Sequence, residues 1–512
     1  MSTRAAPDLR QRWDRFVLRT QGSLDGERAD RLIPAISMVV VFVFHLSLVS
    51  ARLNSLEGGS GLAPWIQAGW RRAHGGAGSP VGGLDPARAT WSLISEPILW
   101  LTRFAPPEAV FALAQAGAIA LTVIPLWRLA RDHAHLRVGA SMVVLVGFAL
   151  APALHRANLS PFHPEILALP ALTWAWLHAV RSHWTRYWIC VAIVLACRAD
   201  LGLTLAVLGV VLITDGERRT GAITAGIGLA WTVVAELVLN PMTPTGALNP
   251  AGEFVRQSTG PLAVVQDLVA HPFREIVEVF AEPSVLFLVV VLAPLLFLPL
   301  LSPRKLMMAA PCVVLAMLAD RSVERVTPFE SLSLSPVAAH IAPAMAFVFV
   351  ALIFSLERIG VLSVTRVNVD RRVLLALLAG ITLFFVTEAP STPYRRPWTW
   401  GRVEASDRVH QEAAATVLDG DSVAASPPLL ALVAERADLV ALPSDPAELS
   451  DQVMARAAAQ ADVVMLDLSA LDPTTGEVEW TADDRDRLLG WLDDLGYSVS
   501  WERGPVMVLR RS

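Results

Sequence analysis

The chain has 512 residues, 54% hydrophobic and 17% charged, with a mean hydropathy of +0.49 and a formal net charge of −5. Average soluble domains are about a quarter charged, so this deficit points to lipid as the solvent for much of the chain. No basic run with interleaved aromatics suggests nucleic acid. Cys190, Cys197 and Cys312 all lie in apolar runs, which excludes a disulfide framework elsewhere and matches no zinc or redox spacing.

Residues 1–31 carry seven arginines and five acids and read as a cytoplasmic N-terminal segment ahead of an uncleaved first span. Residues 32–389 read as a polytopic α-helical membrane domain. It holds about eleven apolar segments, near 32–51, 107–127, 138–154, 165–181, 187–198, 200–214, 221–239, 284–301, 305–319, 337–356 and 372–388. The longer runs match a hydrocarbon layer of roughly 30 Å and lack the polar face of a soluble helix.

The stretch 187–214 is too long for one straight span and too short for two, with Cys197-Arg-Ala-Asp200 at its centre. Short cytoplasmic loops collect Lys and Arg. If 187–214 is a hairpin of two short helices, Arg128/Arg131/Arg137, Arg181/Arg186, Arg218/Arg219, Arg304/Lys305 and Arg366/Arg371/Arg372 all share the side of the N-terminus. A single span would break that agreement. The hairpin topology puts the N-terminus inside the cell, two long loops (52–106 and 240–283) outside, and the C-terminal residues 390–512 outside.

After the linker Pro390-Ser-Thr-Pro-Tyr-Arg-Arg-Pro397, strand-like runs (422–425, 439–442, 463–468, 497–501, 506–509) alternate with helical ones (405–418, 428–436, 447–460, 483–495). That alternation predicts a small α/β domain with a mainly parallel sheet.

The same topology brings ionisable residues to the outer face. His155, Arg156, His163 and Glu165 lie between two spans, Arg198 and Asp200 at the hairpin tip, and Glu236 and His340 near outer helix ends. Such groups are costly at the membrane unless paired or facing water, so their convergence predicts an outward polar cavity. In the functional reading Glu165 or Asp200 serves as acid, base or ligand to a divalent metal, while Arg156 and Arg198 hold an anion such as phosphate. In the bland reading Arg198 and Asp200 neutralise each other and Pro164-Glu165 merely starts a helix. Asp419-Gly-Asp421 reads as a turn, and Asp484-Arg-Asp486 as the acidic first turn of a helix.

The run Asn158-Leu-Ser-Pro-Phe-His-Pro-Glu-Ile-Leu-Ala-Leu-Pro170 resembles a recurrent segment of a family of prokaryotic predicted membrane proteins, domain of unknown function 2079. So do Cys197-Arg-Ala-Asp200, Pro294-Leu-Leu-Phe-Leu-Pro-Leu-Leu-Ser-Pro303, Ala461-Asp-Val-Val-Met-Leu-Asp-Leu468 and the Gly496-Tyr497 to Gly504 pattern. That family is distantly similar to the GT-C membrane glycosyltransferases. The resemblance implies a GT-C-like membrane fold, a lipid partner, a polyprenyl-phosphate sugar donor on the outer face and a cell-envelope acceptor.

The family's first external loop has an acid-bearing stretch, then Gln-x-x-Trp and His-Gly. Gln67, Trp70, His74 and Gly75 match, which gives Gln67 and Trp70 an implied substrate-binding role beside His163 and His340. Gly58-Gly-Ser-Gly61 stands where the acid is expected, with Glu57 or Asp85 as substitutes, and Thr90-Trp91-Ser92 stands where a His-Phe-Ser-type motif is expected. The leading expectation is therefore a GT-C-like glycosyltransferase. Its rival is a non-enzymatic envelope protein whose external domain binds a partner. Transport ranks below both, since no inverted repeat is visible.

Overall fold

The computed structural model describes residues 26–54, 59–76, 78, 80–81, 85–89, 91–235, 238, 288–319, 341–363, 365–392, 403, 405–442, 461–469 and 481–511. The 240–283 loop, Glu57, Glu236, His340, the 447–460 helix and the linker beyond Thr392 lie outside the described residues.

The first half of the chain forms α1 (Glu27–Asn54), α2 (Gly59–Ala73), α3 (Ser95–Leu101), α4 (Pro107–Arg128), α5 (Val138–Ala149), α6 (Pro152–Leu159), α7 (Ala168–Val180), α8 (Trp184–Cys197), α9 (Leu201–Thr214) and α10 (Arg218–Val234). Then come α11 (Ala310–Ala319), α12 (Ala342–Ile359) and α13 (Arg371–Glu388). Among the described residues, four helices are long and apolar enough to cross a membrane: Glu27–Leu53, Pro107–His133, Val138–Leu159 and Ala342–Ile359.

Their burial differs with position. Every residue from Ile341 to Ile353 is buried, so α12, apolar all round, forms the centre of the bundle. α1 keeps Leu32, Ile36, Val39, Val40 and Val43 exposed and lies at the periphery. Pro152 restarts the helix after a break at Leu150–Ala151, since proline suits a first helical position and interrupts an interior one.

The expected span 284–301 differs from what forms. Residues 293–301 make two 3-10 turns, with Leu296 and Phe297 in left-handed backbone. Pro294 and Pro299 remove donors that a continuous helix requires.

The stretch 187–214 divides into α8 and α9 at Arg198–Asp200. The start of α8 and the finish of α9 share one end of the bundle, where Arg181 pairs with Asp132 and Lys305 bridges Asp215 and the ring of Trp176. Asp30, Arg131 and Arg366 join at the same end. α9 and α10 pack backbone to backbone: a Cβ on Gly202, Gly209, Gly221 or Gly228 would lie 2.4–2.6 Å from main-chain atoms of the facing helix. Small residues permit such close approach in lipid.

At the C-terminus lie α14 (Ala405–Ala415), β3 (Val423–Ala425), α15 (Pro427–Leu430), β4 (Leu439–Ala441), β5 (Val463–Asp467), α16 (Ala482–Asp494), β6 (Tyr497–Arg503) and β7 (Val506–Arg511), after a short hairpin, β1 (Val361–Ser363) and β2 (Arg366–Asn368). The sheet order is β4-β3-β5-β7-β6. β3, β4 and β5 are parallel, whereas β7 pairs antiparallel with both β5 and β6. The sheet is mixed rather than mainly parallel, because the short connection around Gly504 (φ +63°) closes β6 and β7 as a hairpin.

One sheet face (Ala424, Val464, Leu466, Met507, Leu509) packs on Leu488 and Leu492 of α16. The other (Val423, Ala425, Val463, Met465, Val508) shares a core with Leu62, Ala63 and Ile66 of α2 and Leu99 of α3. The α/β unit and the first long loop are thus one packed body at the end opposite the arginine-rich one.

Candidate functional site

Pro164 opens a 3-10 turn, Pro164–Leu167, that carries Glu165 into the bundle ahead of α7. Arg198, in extended backbone, ends α8, and Asp200 precedes α9. These three meet. Asp200 holds Arg198 at two points, Nε to Oδ1 and Nη2 to Oδ2 (2.6 Å), while Arg198 Nη1 donates to Glu165 Oε1 at 2.8 Å. Their side chains are 1–4% exposed. One cation thus faces two carboxylates in a site where every charge is costly to bury. The guanidinium fills the space between the carboxylates, so the Glu165–Asp200 pair in this arrangement does not fit a divalent cation. Among the described residues, no group of three or more His, Cys, Asp and Glu could hold a metal.

The first loop covers this cluster. Ile94 N–H donates to the Ala196 carbonyl at 2.9 Å, and Trp91 packs against Ala199, the residue between Arg198 and Asp200. Trp91 has a left-handed backbone (φ +48°), and its buried indole N–H has no hydrogen-bond partner. Ser92 and Ser95, both buried, bond to each other at 2.7 Å beneath the loop. Trp91 thus packs on the Ala199–Ala235 cluster beside the Arg198–Asp200 turn. Sequence reasoning noticed the Thr90-Trp91-Ser92 run only as an imperfect motif.

The other described site residues make contacts of their own. Arg156 donates to the Glu388 carbonyl (3.1 Å), with the Glu388 carboxylate 3.9 Å away, and its neighbour His155 bonds Ser391 Oγ at 2.6 Å. These contacts tie α6 to the end of α13. His163 turns its Nδ1 to the Pro161 carbonyl. Gln67 joins two parts of the protein: its amide N–H donates to the carbonyls of Arg436 (3.3 Å) and Ala437 (3.1 Å), and its Oε1 accepts Val81 N–H at 2.6 Å. Trp70 stacks on His74 at 4.2 Å.

Asp85 and Glu96, acids of the first loop, converge on Arg72. Its guanidinium contacts Asp85 at 2.9 and 3.2 Å and Glu96 at 2.6 and 2.8 Å. Burial disfavours the Arg72 cation, but the two carboxylates outweigh it and raise its pKa further. A shallow groove runs beside Phe162, lined by Val49, Leu53, Phe111 and the polar groups of Arg52, Glu108 and Asn158.

A second buried constellation, absent from the sequence expectations, sits at the carboxyl ends of β3 and β5. His410 Nε2 bonds Asp467 Oδ2 at 2.8 Å, Ser469 donates from N–H and hydroxyl to Asp467 Oδ1, and Asp467 N–H donates to Ser426 Oγ. Burial opposes the Asp467 carboxylate, yet the bonds from His410 and Ser469 hold its pKa below the usual range.

A family model described as Predicted membrane protein (DUF2079) matches residues 92–495. No curated protein sequence matches the chain. Among solved structures, the fold is similar to the crystal structure of ArnT from Cupriavidus metallidurans bound to undecaprenyl phosphate. That similarity has a TM-score of 0.50 and 14% identity, and covers 92% of this chain and 97% of ArnT. The apo-state crystal structure of ArnT aligns with a TM-score of 0.48 and 14% identity, over 93% and 98% of the two chains. The likeness is one of fold, and it extends through the membrane helices and the C-terminal unit alike.

Proposed function

We propose that this chain, which belongs to the Predicted membrane protein (DUF2079) family, transfers a sugar from a polyprenyl-phosphate donor to a cell-envelope acceptor on the outer membrane face. The observation that carries the reading is the buried Glu165–Arg198–Asp200 cluster beneath the first loop, in a GT-C-like fold similar to ArnT over nearly its full length. Here the end bearing the α/β unit faces outward and the arginine-rich end faces the cytoplasm, as short basic loops prefer. An alkaline phosphatase fusion at Ala405 is expected to be active; an inactive fusion overturns this orientation.

In this reading Arg198 holds the donor phosphate, and Asp200 fixes the guanidinium through its two-point contact. Glu165 takes the proton of the acceptor hydroxyl as the new glycosidic bond forms. The bond from the anomeric carbon to the phosphate oxygen breaks, and the polyprenyl phosphate leaves with its charge against Arg198. The groove beside Phe162 offers an apolar wall for the lipid chain. Arg156 remains bound to Glu388 and supports the fold of the site from one side.

The test is Glu165→Gln and Arg198→Ala in the native host, followed by analysis of envelope glycans and lipid-linked sugars. A missing glycan or an accumulated lipid-linked sugar is expected. Unchanged glycans at normal protein levels overturn the reading. One observation favours the rival, a non-enzymatic envelope protein whose external unit binds a partner: both described acids of the first loop, Asp85 and Glu96, are engaged by Arg72.

A further inference from the structure

The segment around α3 is built inside out. Its inward positions are Ser92, Ser95 and Leu99, all buried, with the two serine hydroxyls bonded to each other. Thr102 is pressed against Gly69 of α2 on the same side. The outward positions are Leu93, Trp100, Leu101 and Phe104, which are 57%, 51%, 47% and 71% exposed. Residues 93, 97, 100 and 104 follow one another at spacings of four and three, so Leu93, Pro97, Trp100 and Phe104 share one helical stripe. Trp100 and Phe104 meet edge to face at 4.9 Å. A segment folded against water turns its serines outward and its large apolar groups inward. This one does the reverse, so the medium outside it is apolar.

Its attachments say which medium that is. Ile94 N–H donates to the Ala196 carbonyl in the last turn of α8. Phe104 stands three residues before Pro107, the first residue of α4, which is long and apolar enough to span a membrane. Three residues of chain reach at most about 11 Å, so α3 joins the ends of α4 and α8. Both of those helices carry apolar side chains outward, Leu113 and Leu121 on α4 and Ile189 and Ile193 on α8. Arg103 is exposed next to Phe104, and Glu96 is held by Arg72. Tryptophan and arginine beside an apolar stripe suit the boundary between acyl chains and headgroups.

We propose that α3 lies flat in the lipid surface at the end of the bundle that bears the α/β unit. Leu93, Trp100, Leu101 and Phe104 enter the upper acyl chains, and Arg103 reaches the headgroup phosphates. The first loop is then fixed on two sides, to the helices through Ile94 and to the bilayer through this stripe.

The test reads what touches the stripe. Full-length protein is placed in nanodiscs of phosphatidylethanolamine and phosphatidylglycerol, with a nitroxide attached in turn at Leu93→Cys, Leu101→Cys or Phe104→Cys. These side chains are exposed, and wild type, whose described cysteines are buried, is the blank. Ile189→Cys on α8 is the lipid reference and Asp493→Cys, exposed on α16, the water reference. All three sites are expected to match Ile189, with strong relaxation by oxygen and loss of most of the relaxation by a water-soluble nickel chelate seen at Asp493. Nickel relaxation equal to that of Asp493 means water and overturns the proposal. Poor access to both reagents means cover by protein, whether another segment of this chain or a second copy, and also overturns it. A readout without cysteine uses the difference in fluorescence between wild type and Trp100→Phe. That emission is expected to be quenched by brominated phospholipid and spared by acrylamide, and the opposite pattern overturns the lipid contact.

Discussion

The two ends of the helix bundle both carry ion pairs, but they are buried to different degrees. At the arginine-rich end Arg181–Asp132 is about one-third exposed, Lys305–Asp215 and Arg366–Asp30 are partly exposed, and Arg131, though itself buried, pairs with the partly exposed Asp30. At the other end Arg198–Glu165, Arg198–Asp200 and Arg156–Glu388 are at most 7% exposed. Exposed pairs contribute roughly 0–1 kcal/mol. Buried ones cost solvation, and well-packed apolar residues often replace them without loss. In the proposed function the first set faces the cytoplasm, and the second, hard to justify as stabilisation, serves the chemistry.

That contrast breaks if the two ends respond alike to mutation. Arg198→Ala removes the cation that two buried carboxylates share, and a loss of about 3–5 kcal/mol is expected in thermal unfolding in detergent. A loss as small as that of Arg181→Ala would erase the distinction. Gly209→Val drives a side chain into Gly221 O and the Ala225 main chain. About 1–3 kcal/mol of overpacking is expected, read as a lower melting temperature.

Gln67→Ala leaves the Val81 N–H and two carbonyls without their partner. It is expected to cost about 1–3 kcal/mol, seen as faster proteolysis between the first loop and the α/β unit. Wild type showing the same cleavage rate would mean that the shared core alone holds the two together.

The His410–Asp467 pair extends the comparison into the α/β unit. Because the native pKa of Asp467 is depressed, the stability it contributes is complete above the ordinary aspartate value of about 3.9. It is lost as pH falls through the lower native value. Asp467→Asn is therefore expected to narrow the stability gap between neutral pH and pH below about 4. An identical acid-unfolding profile contradicts that assignment. The smallest effect belongs to Arg181→Ala, at most about 1 kcal/mol and fading with added salt.

Much of this arrangement is legible in the sequence because lipid leaves a one-dimensional trace. Apolar runs mark helices, and the Arg198–Asp200 break is visible because charge there is anomalous. The same anomaly picks out Glu165, Arg198 and Asp200. What escapes depends on partners far along the chain. Gln67 matches a family motif, yet its bonds go to carbonyls 369 and 370 positions away. Trp91 reaches the Ala199–Ala235 cluster through a left-handed backbone that no local pattern encodes. Strand-like runs carry no direction, so the antiparallel β6–β7 closure is unreadable until the short connection around Gly504 is seen.

The glycine contact between α9 and α10 has a kinematic consequence. Gly202 and Gly209 stand seven residues apart, as do Gly221 and Gly228, so sliding either helix by one turn would drive a neighbouring side chain into the opposing backbone. Axial travel is therefore blocked at these contacts. The Arg198–Asp200 turn, joined directly to α9, is held at a fixed depth: it cannot piston through the membrane.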